Sequence, residues 1–186
     1  MHNPVIDLAP FDEESGHVNA IIDTPKGSRN KFKYDEKLGM FRLGGALPLG
    51  AVFPFDFGFV PSTLGEDGDP LDVLVLMDEP AFTGCLVPSR LIGVITAEQT
   101  ERDGKTMRND RLIAVAADSR THASLQSIEQ LQLAEHSGGD ILLGEIEHFF
   151  ISYNAIKGKE FKPLGRFGPD RAAALIEEGA KRFRNK

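Results

Sequence analysis

The chain of 186 residues lacks a second cysteine, a long apolar run and an excess of basic residues. Because Cys85 is the only cysteine, no disulfide can form within the chain, which is typical of a reducing compartment. No apolar stretch approaches the roughly 20 residues needed to span a bilayer. The opening residues, MHNPVIDLAPFDEE, show no charged start followed by an apolar run. We therefore expect a cytoplasmic protein without a signal peptide or a membrane partner.

The formal net charge of -7 is the wrong sign for a general nucleic-acid binder, whose surface carries a basic footprint. It does not exclude a phosphate-bearing substrate, since a local group of cations or a bound metal ion can invert the field. Hydrophobic residues make up 41% of the chain and charged residues 26%, which are ordinary values for a globular protein. Length and composition together predict one folded domain over residues 1–186.

The order of apolar patterns predicts strands first and helices last. Candidate strands are residues 17–23, 31–36, 40–45, 71–77, 86–99 and 111–117, and candidate helices are residues 124–136, 140–156 and 168–186. The aromatic positions Phe53, Phe55, Phe57 and Phe59 alternate, which favours one face of a further strand. The pattern indicates an α+β fold, and we expect a small closed OB-like β-barrel with flanking helices.

The strongest chemical signal is an acidic loop in which Asp67, Asp69 and Asp72 precede an apolar run. Three carboxylates in a small volume repel one another unless a cation lies between them, and Mg²⁺ prefers such oxygen ligands. An acidic surface turn is the alternative, since Asp and Gly favour turns. An EF-hand calcium loop is disfavoured, because Leu71 occupies a required ligand position and the flanks read as strands.

Cations accompany this loop in the sequence. Lys31 and Lys33 alternate on one candidate strand, so both side chains are expected on the same face, where they can hold phosphate oxygens. Arg111 opens a later strand, and Lys159 follows the second candidate helix.

These residues occur within segments that resemble the soluble inorganic pyrophosphatases of family I. The segment DGDPLDV resembles the family signature, PKGSRNKF resembles its lysine-bearing segment, and RLIGVI, DRLIAVA and EIEHFFISYNAIKGK follow in the family's order. The resemblance implies an OB-like barrel, a homo-oligomer, pyrophosphate as substrate, and Mg²⁺, with Mn²⁺ or another divalent ion as the alternative cofactor. It implies metal binding by Asp67, Asp69 and Asp72, with Asp69 also orienting or deprotonating the attacking water. Tyr153 would share in catalysis, and Lys31, Lys33, Arg111 and Lys159 would bind the phosphates.

Several positions depart from the family pattern, and most departures change the charge of the expected site. The departing residues are Asp23, Lys33, Gly45 (with Arg42 as a possible stand-in), Phe53, Phe57, Gln99 (with Glu98 or Glu101 as possible substitutes), Asn109, Arg111 and Asn154. Amides at Gln99 and Asn109 remove two carboxylates, so we expect fewer bound metal ions. The main expectation is pyrophosphate hydrolysis. The alternatives are a catalytically impaired relative that binds metal or a phosphorylated ligand, and an OB-type nucleic-acid binder, which the acidic charge disfavours.

Overall fold

The computed structural model describes residue 3 and residues 7–133 and 139–186, which contain nine strands and three helices. The strands are β1 (Val18–Thr24), β2 (Asn30–Asp35), β3 (Met40–Ala46), β4 (Asp56–Phe59), β5 (Asp72–Leu76), β6 (Leu86–Thr100), β7 (Thr106–Arg108), β8 (Arg111–Ala116) and β9 (Glu160–Phe167). The helices are α1 (Ile128–Leu133), α2 (Gly139–Ala155) and α3 (Pro169–Arg184). This content confirms the predicted α+β class. None of these helices is long and apolar enough to cross a membrane.

Seven strands form one mixed sheet in the order β1-β4-β5-β8-β6-β7, with β9 paired to β6. Strand β1 also pairs with β6, and β5 and β8 run parallel. Strand β6 bends where its register with β8 shifts between Leu91 and Gly93. A Cβ at Gly93 would lie 2.6 Å from the carbonyl oxygen of Phe167, so only glycine fits the bend. Strands β2 and β3 form a separate hairpin.

The central strands β5 and β8 are buried on both faces. In β5, Leu74 and Leu76 belong to an apolar cluster that includes residues of α1 and α2, whereas Val73 and Val75 belong to a second cluster that includes residues of α3. Side chains of a strand alternate between faces, so a continuous apolar run fits a sheet covered on both sides. The same alternation places Asp72 on the face of the first cluster.

The two long predicted helices and the six predicted strands are present in the structure. The predicted helices 140–156 and 168–186 correspond to α2 and α3, while α1 covers part of residues 124–136, of which 134–136 lie outside the described residues. Strands β7 and β9 were not predicted, and β4 covers only the second half of the strand predicted through the four phenylalanines. Phe57 and Phe59 lie in β4, whereas Phe53 and Phe55 precede it, so the strand is shorter than the alternation predicted. The Phe53 amide instead donates to the carbonyl of Ser28 in a neighbouring loop, at 3.0 Å.

Candidate active site

The acidic loop between β4 and β5 is closed by its own hydrogen bonds. The amide of Gly65 donates to the carbonyl of Asp69 at 2.8 Å, and the amide of Asp69 donates to Oδ1 of Asp67 at 3.1 Å. Gly68 sits between these aspartates with φ of 86°, a conformation that glycine adopts without strain. Helix α3 supports the loop, because Arg182 Nε donates to the carbonyl of Leu64 at 2.8 Å.

Asp72 and Arg111 are joined by the parallel pairing of β5 with β8. Val73 is opposite Leu112 in this register, so the residues that begin the two strands are also neighbours. Arg111 Nη1 lies 2.7 Å from Oδ2 of Asp72, and the Arg111 side chain is only 4% exposed. The guanidinium packs over the rings of Phe150 and Phe161, at 4.6 and 5.1 Å from their centroids. The structure therefore holds a buried cation against one of the three signature aspartates.

A chain of polar side chains continues from Arg111 across the floor of the cleft. Asn109 accepts a hydrogen bond from Arg111 Nη1 through Oδ1, so its Nδ2 is the group that donates to Gln99 Oε1, at 3.1 Å. Gln99 Nε2 then donates to Glu101 Oε1 at 2.6 Å. The same carboxylate oxygen accepts from Lys159 Nζ at 2.8 Å. These contacts satisfy the two amides through side chains of the chain itself.

Lys31 and Asp23 form a buried ion pair on another wall of the cleft. Lys31 Nζ donates to both carboxylate oxygens of Asp23, at 2.6 and 2.7 Å, and lies 4.2 Å from the centroid of Phe57. The residues are 8% and 7% exposed. Burial lowers the pKa of Lys31 and raises the pKa of Asp23, while their mutual attraction opposes both shifts. The charge of Lys31 is thus already compensated within the protein.

Helix α2 supplies an aromatic wall that ends in Tyr153. The Tyr153 ring stacks on Phe149 with centroids 5.8 Å apart and meets Phe53 edge-on at 5.7 Å. Its hydroxyl accepts a hydrogen bond from Lys157 Nζ. Burial, with repulsion from Asp72 and Asp23, raises the pKa of Tyr153 to about 12. The hydroxyl therefore keeps its proton at neutral pH.

These walls enclose a cleft of about 430 Å³. All eight of the predicted site residues line it: Asp67, Asp69, Asp72, Lys31, Lys33, Arg111, Tyr153 and Lys159. Phe57, Gln99, Asn109 and Asn154 also line it, together with Glu101, whereas Gly45, Arg42 and Glu98 are not among the lining residues. Arg42 instead pairs with Asp35, at 3.2 Å. Residues distant in the sequence are thus gathered around one acidic loop and one set of cations.

The sequence of the chain matches that of a known protein family. A family model described as inorganic pyrophosphatase matches residues 20–184. The chain belongs to this family. It is 35% identical over 175 residues to the inorganic pyrophosphatase of Synechocystis sp., covering 94% of this chain and 96% of that protein. It is 40% identical over 165 residues to the inorganic pyrophosphatase of Streptomyces coelicolor, covering 88% and 94% of the two chains.

Solved structures of this family have the same fold. The crystal structure of inorganic pyrophosphatase from Thermus thermophilus superposes with a TM-score of 0.83 at 33% identity, covering 98% of this chain and 99% of that chain. An inorganic pyrophosphatase from Neisseria gonorrhoeae gives a TM-score of 0.82 at 29% identity, with 98% of each chain covered. Family I pyrophosphatases depend on divalent metal ions.

Asp67, Asp69 and Asp72 all line the cleft and offer carboxylate oxygens. Hard divalent cations prefer such oxygen ligands, so the acidic loop suits a metal ion of this kind. Burial first, and then repulsion from Asp72 and Asp69, raises the pKa of Asp67 to about 6. Among the residues that the structure describes, no three His, Cys, Asp or Glu side chains already converge as ligands. Asp72 is turned to Arg111, and the side chain of Asp69 is 69% exposed and lies 3.7 Å from Lys33.

Sequence reasoning missed three charged residues of the cleft: Lys157, Glu101 and Glu36. Lys157 was not singled out, although it lies four residues after Tyr153 and near Lys159. Glu101 was considered only as a substitute for Gln99, whereas both side chains line the cleft. In the structure Gln99 pairs with Met107, so residues 99–107 form a β-hairpin. The Asp103-Gly104 pair is the sequence signal for the turn of this hairpin.

Proposed function

We propose that this protein hydrolyses inorganic pyrophosphate to two phosphate ions in the cleft beside the acidic loop, with a divalent cation as cofactor. One observation carries the proposal: three carboxylates of a single loop and the side chains of Lys31, Lys33, Arg111 and Lys159 line the same cleft. Carboxylates suit metal ions, and surrounding cations suit the charge of phosphate groups. The cleft combines both requirements in one place.

In this proposal Asp67, Asp69 and Asp72 hold the cation, and Mg²⁺ is the ion that the all-oxygen donor set favours. When bound, the cation would lower the pKa of a water molecule and neutralise charge on phosphate oxygens. Asp72 can contribute only by sharing its carboxylate with Arg111 or by releasing it, because the two are 2.7 Å apart. The ion pair with Arg111 therefore reduces the negative charge that Asp72 offers to a metal ion.

In this proposal, side chains of the protein accept the proton of the attacking water and bind the phosphate groups. Asp69 orients the attacking water and accepts its proton as the water oxygen bonds to phosphorus and the bridging P–O bond breaks. The released phosphate leaves with the electron pair of that bond. Because the Tyr153 hydroxyl accepts from Lys157 and keeps its own proton, it can donate that proton in a hydrogen bond to a phosphate oxygen. Lys31, Lys33, Arg111 and Lys159 stabilise charge on the departing phosphate.

A phosphate-release assay with pyrophosphate tests the proposal directly. Purified protein should release phosphate in the presence of Mg²⁺ and lose this activity in excess chelator. Asp67→Asn should reduce kcat by a factor of about 100 or more, as loss of a key charged group in catalysis commonly does. Asp103→Asn is the matched control, because Asp103 lies in an exposed turn and is not among the residues that line the cleft. Folded wild-type protein without phosphate release at any Mg²⁺, Mn²⁺ or Co²⁺ concentration would refute the proposal and favour a binding module.

We also infer that the sheet closes into an OB-like barrel. The supporting observation is that β1 pairs with β4 on one side and with β6 on the other, while β5 and β8 connect β4 to β6. That residues 1–186 form one domain remains a prediction. It is supported by the way both apolar clusters share strands β5 and β8.

A homo-oligomer is proposed as the working form, with a cytoplasmic location that the single cysteine favours. Large apolar side chains are exposed on and near α2, namely Ile141, Ile151 and Ile156. Contact with a second copy of the chain would remove such surface from water. Light scattering of the purified protein should give a mass several times 20.4 kDa, and a mass of one chain would refute the oligomer.

A further inference from the structure

Lys157 lies in a tightly held turn between α2 and β9, at the wall of the cleft. Its backbone amide donates to the carbonyl of Asn154 at 2.9 Å, and its own carbonyl accepts from Arg102 Nε at 2.6 Å. Gly158 follows with φ of 71°, and a Cβ at this position would lie 3.2 Å from Nε of the same Arg102. The backbone of Lys157 is therefore anchored by its own turn and by the loop between β6 and β7.

The Lys157 side chain is directed along Tyr153. Its Nζ donates to the tyrosine hydroxyl and lies 3.8 Å from the centroid of the ring. Tyr153 is itself immobilised by its stacking on Phe149 and its edge contact with Phe53. These contacts hold the ammonium group of this exposed residue at a defined place beside the cleft.

Lys157 differs from the other lysines of the cleft in its partner. Lys31 is paired with Asp23 at 2.6 Å, Lys159 with Glu101 at 2.8 Å, and Lys33 with Asp69 at 3.7 Å. Among the ion pairs of residues 7–133 and 139–186, none joins Lys157 to a carboxylate, and its hydrogen-bond partner is a neutral hydroxyl. An ammonium group without a counter-charge, fixed beside a phosphate site, is a receptor for a phosphate oxygen.

Asn154, the polar residue of α2 next to Tyr153, cannot supply a positive charge to the cleft. Asn154 is neutral and buried, and its Nδ2 donates to the carbonyl of Phe150 within the helix at 2.9 Å. We propose that the Lys157 ammonium group binds a terminal phosphate group of the substrate, so that the turn after α2 supplies a cation that the helix itself does not. This assignment rests on the proposed function for the identity of the phosphate compound, but its binding test does not depend on catalysis.

The charged groups around Lys157 support this assignment. The pKa of Lys157 is lowered to about 8, first by burial of the side chain against the cleft wall and then by repulsion from Lys33, Lys31 and Lys159, against a weaker attraction from Asp72. Arg102 adds a further cation from the β6–β7 loop, and Tyr153 faces it from α2. A phosphate anion relieves this repulsion, so binding favours the protonated lysine.

The experiment compares Lys157→Met, Lys157→Gln and Lys157→Arg with Lys181→Met, a matched control on the exposed side of α3. The probe is methylenediphosphonate, a non-hydrolysable pyrophosphate analogue, titrated calorimetrically at saturating Mg²⁺. We expect Lys157→Met and Lys157→Gln to weaken binding roughly tenfold or more at pH 7, the usual scale for losing a hydrogen bond to a charged group. Lys157→Arg should stay within a few-fold of the wild type, and Lys181→Met should not differ from it.

The pH dependence of methylenediphosphonate binding distinguishes direct phosphate binding by Lys157 from a structural role of this residue. The difference between wild type and Lys157→Met should narrow as the pH rises from 7 to 9.5, because the wild-type ammonium group loses its proton. Thermal unfolding should change little in either neutral variant, since Lys157 is an exposed residue without a carboxylate partner among the described ion pairs. Equal binding by Lys157→Met and Lys181→Met at pH 7, or an equal loss at both pH values, would overturn the assignment.

The calorimetric result also remains informative if the enzyme is inactive. Absence of pyrophosphate hydrolysis by the wild type would refute the proposed function alone. Tenfold weaker binding of methylenediphosphonate by Lys157→Met would still support a phosphate-binding Lys157. In an active enzyme, Lys157→Met should raise KM for pyrophosphate more than it lowers kcat, because a contact with a terminal phosphate acts mainly on substrate binding.

Discussion

Arg111 and Asp72 form an ion pair of 2.7 Å across two parallel strands, at the point where the acidic loop enters the sheet. The pair brings a signature aspartate and a buried guanidinium into direct contact. Each group therefore affects both the stability of the fold and the charge of the cleft.

The first prediction concerns the stability of this pair. Asp72→Asn should lower the free energy of unfolding by about 1–3 kcal/mol, the usual cost of leaving a buried polar group without its partner, because Arg111 would lose its counter-charge while remaining buried. Urea denaturation gives this value. Asp69→Asn is the control and should change stability by less than about 0.5 kcal/mol, since the Asp69 side chain is 69% exposed. Equal stability of the two variants would show that Asp72 does not compensate Arg111.

The second prediction concerns competition between Arg111 and the metal ion for Asp72. Arg111→Met removes the cation that already occupies the carboxylate, so Mn²⁺ or Mg²⁺ should bind several-fold more tightly, although turnover should fall. Calorimetric titration measures the affinity. Arg184→Met, at the exposed end of α3, is the matched control. Unchanged or weaker metal binding by Arg111→Met would show that Asp72 is not a ligand.

Asn109→Asp tests the competition between Arg111 and the metal ion in a second way. The Asn109 side-chain oxygen faces Arg111, so an added negative charge there is shared with the guanidinium. We expect Asn109→Asp to tighten metal binding, but by less than Arg111→Met does. A larger effect of Asn109→Asp would mean that its carboxylate ligates the metal ion directly.

The third prediction concerns the buried pair of Asp23 and Lys31. Asp23→Asn leaves the Lys31 ammonium group without its partner, which costs about 3–5 kcal/mol of stability when a buried pair is broken. The double variant Asp23→Asn with Lys31→Met should recover most of that loss, since the uncompensated charge is removed. A double variant no more stable than Asp23→Asn would indicate that another group already balances Lys31.

The fourth prediction concerns Asp56, a fully buried aspartate at the start of β4. Its Oδ1 accepts from the amide of Ala81 at 2.9 Å, while Oδ2 lacks a hydrogen-bond partner in the described part of the chain. Burial raises its pKa, so the folded state binds the proton more tightly than the unfolded state. The contribution of Asp56 to stability is therefore greatest at low pH and falls as the pH rises above about 4, the unfolded pKa.

Asp56→Asn removes this ionisation. Its melting temperature relative to the wild type should rise between pH 4 and pH 8, because the wild type alone carries the cost of a buried ionisable carboxyl. Asp118→Asn, at an exposed position after β8, controls for the loss of one negative charge. A melting-temperature difference that is constant over this range would show that Asp56 does not titrate on folding.

Local patterns in the sequence predicted the elements that depend on local physics. Helices α2 and α3 follow from apolar spacing near 3.6 residues, and β5 and β8 follow from continuous apolar runs that fit a sheet buried on both faces. The acidic loop was recognisable because carboxylates, glycine and proline at short spacing have a direct chemical meaning. The three-residue strand β7 was missed, since so few residues carry too little periodicity.

The contacts of the site were decided by tertiary structure. Asp72 meets Arg111 because β5 and β8 pair in parallel with a particular register, and a shift of one residue would place the two side chains on opposite faces. Likewise, Lys31 of β2 contacts Asp23 of β1. Lys157 lies at the cleft because of the turn that joins α2 to β9. The sequence alone determined which charges are present and which segments are strands or helices, because these depend on composition and short-range spacing. Which charge compensates which depends on long-range strand pairing, and that is why the unpaired lysine could be identified only in the folded chain.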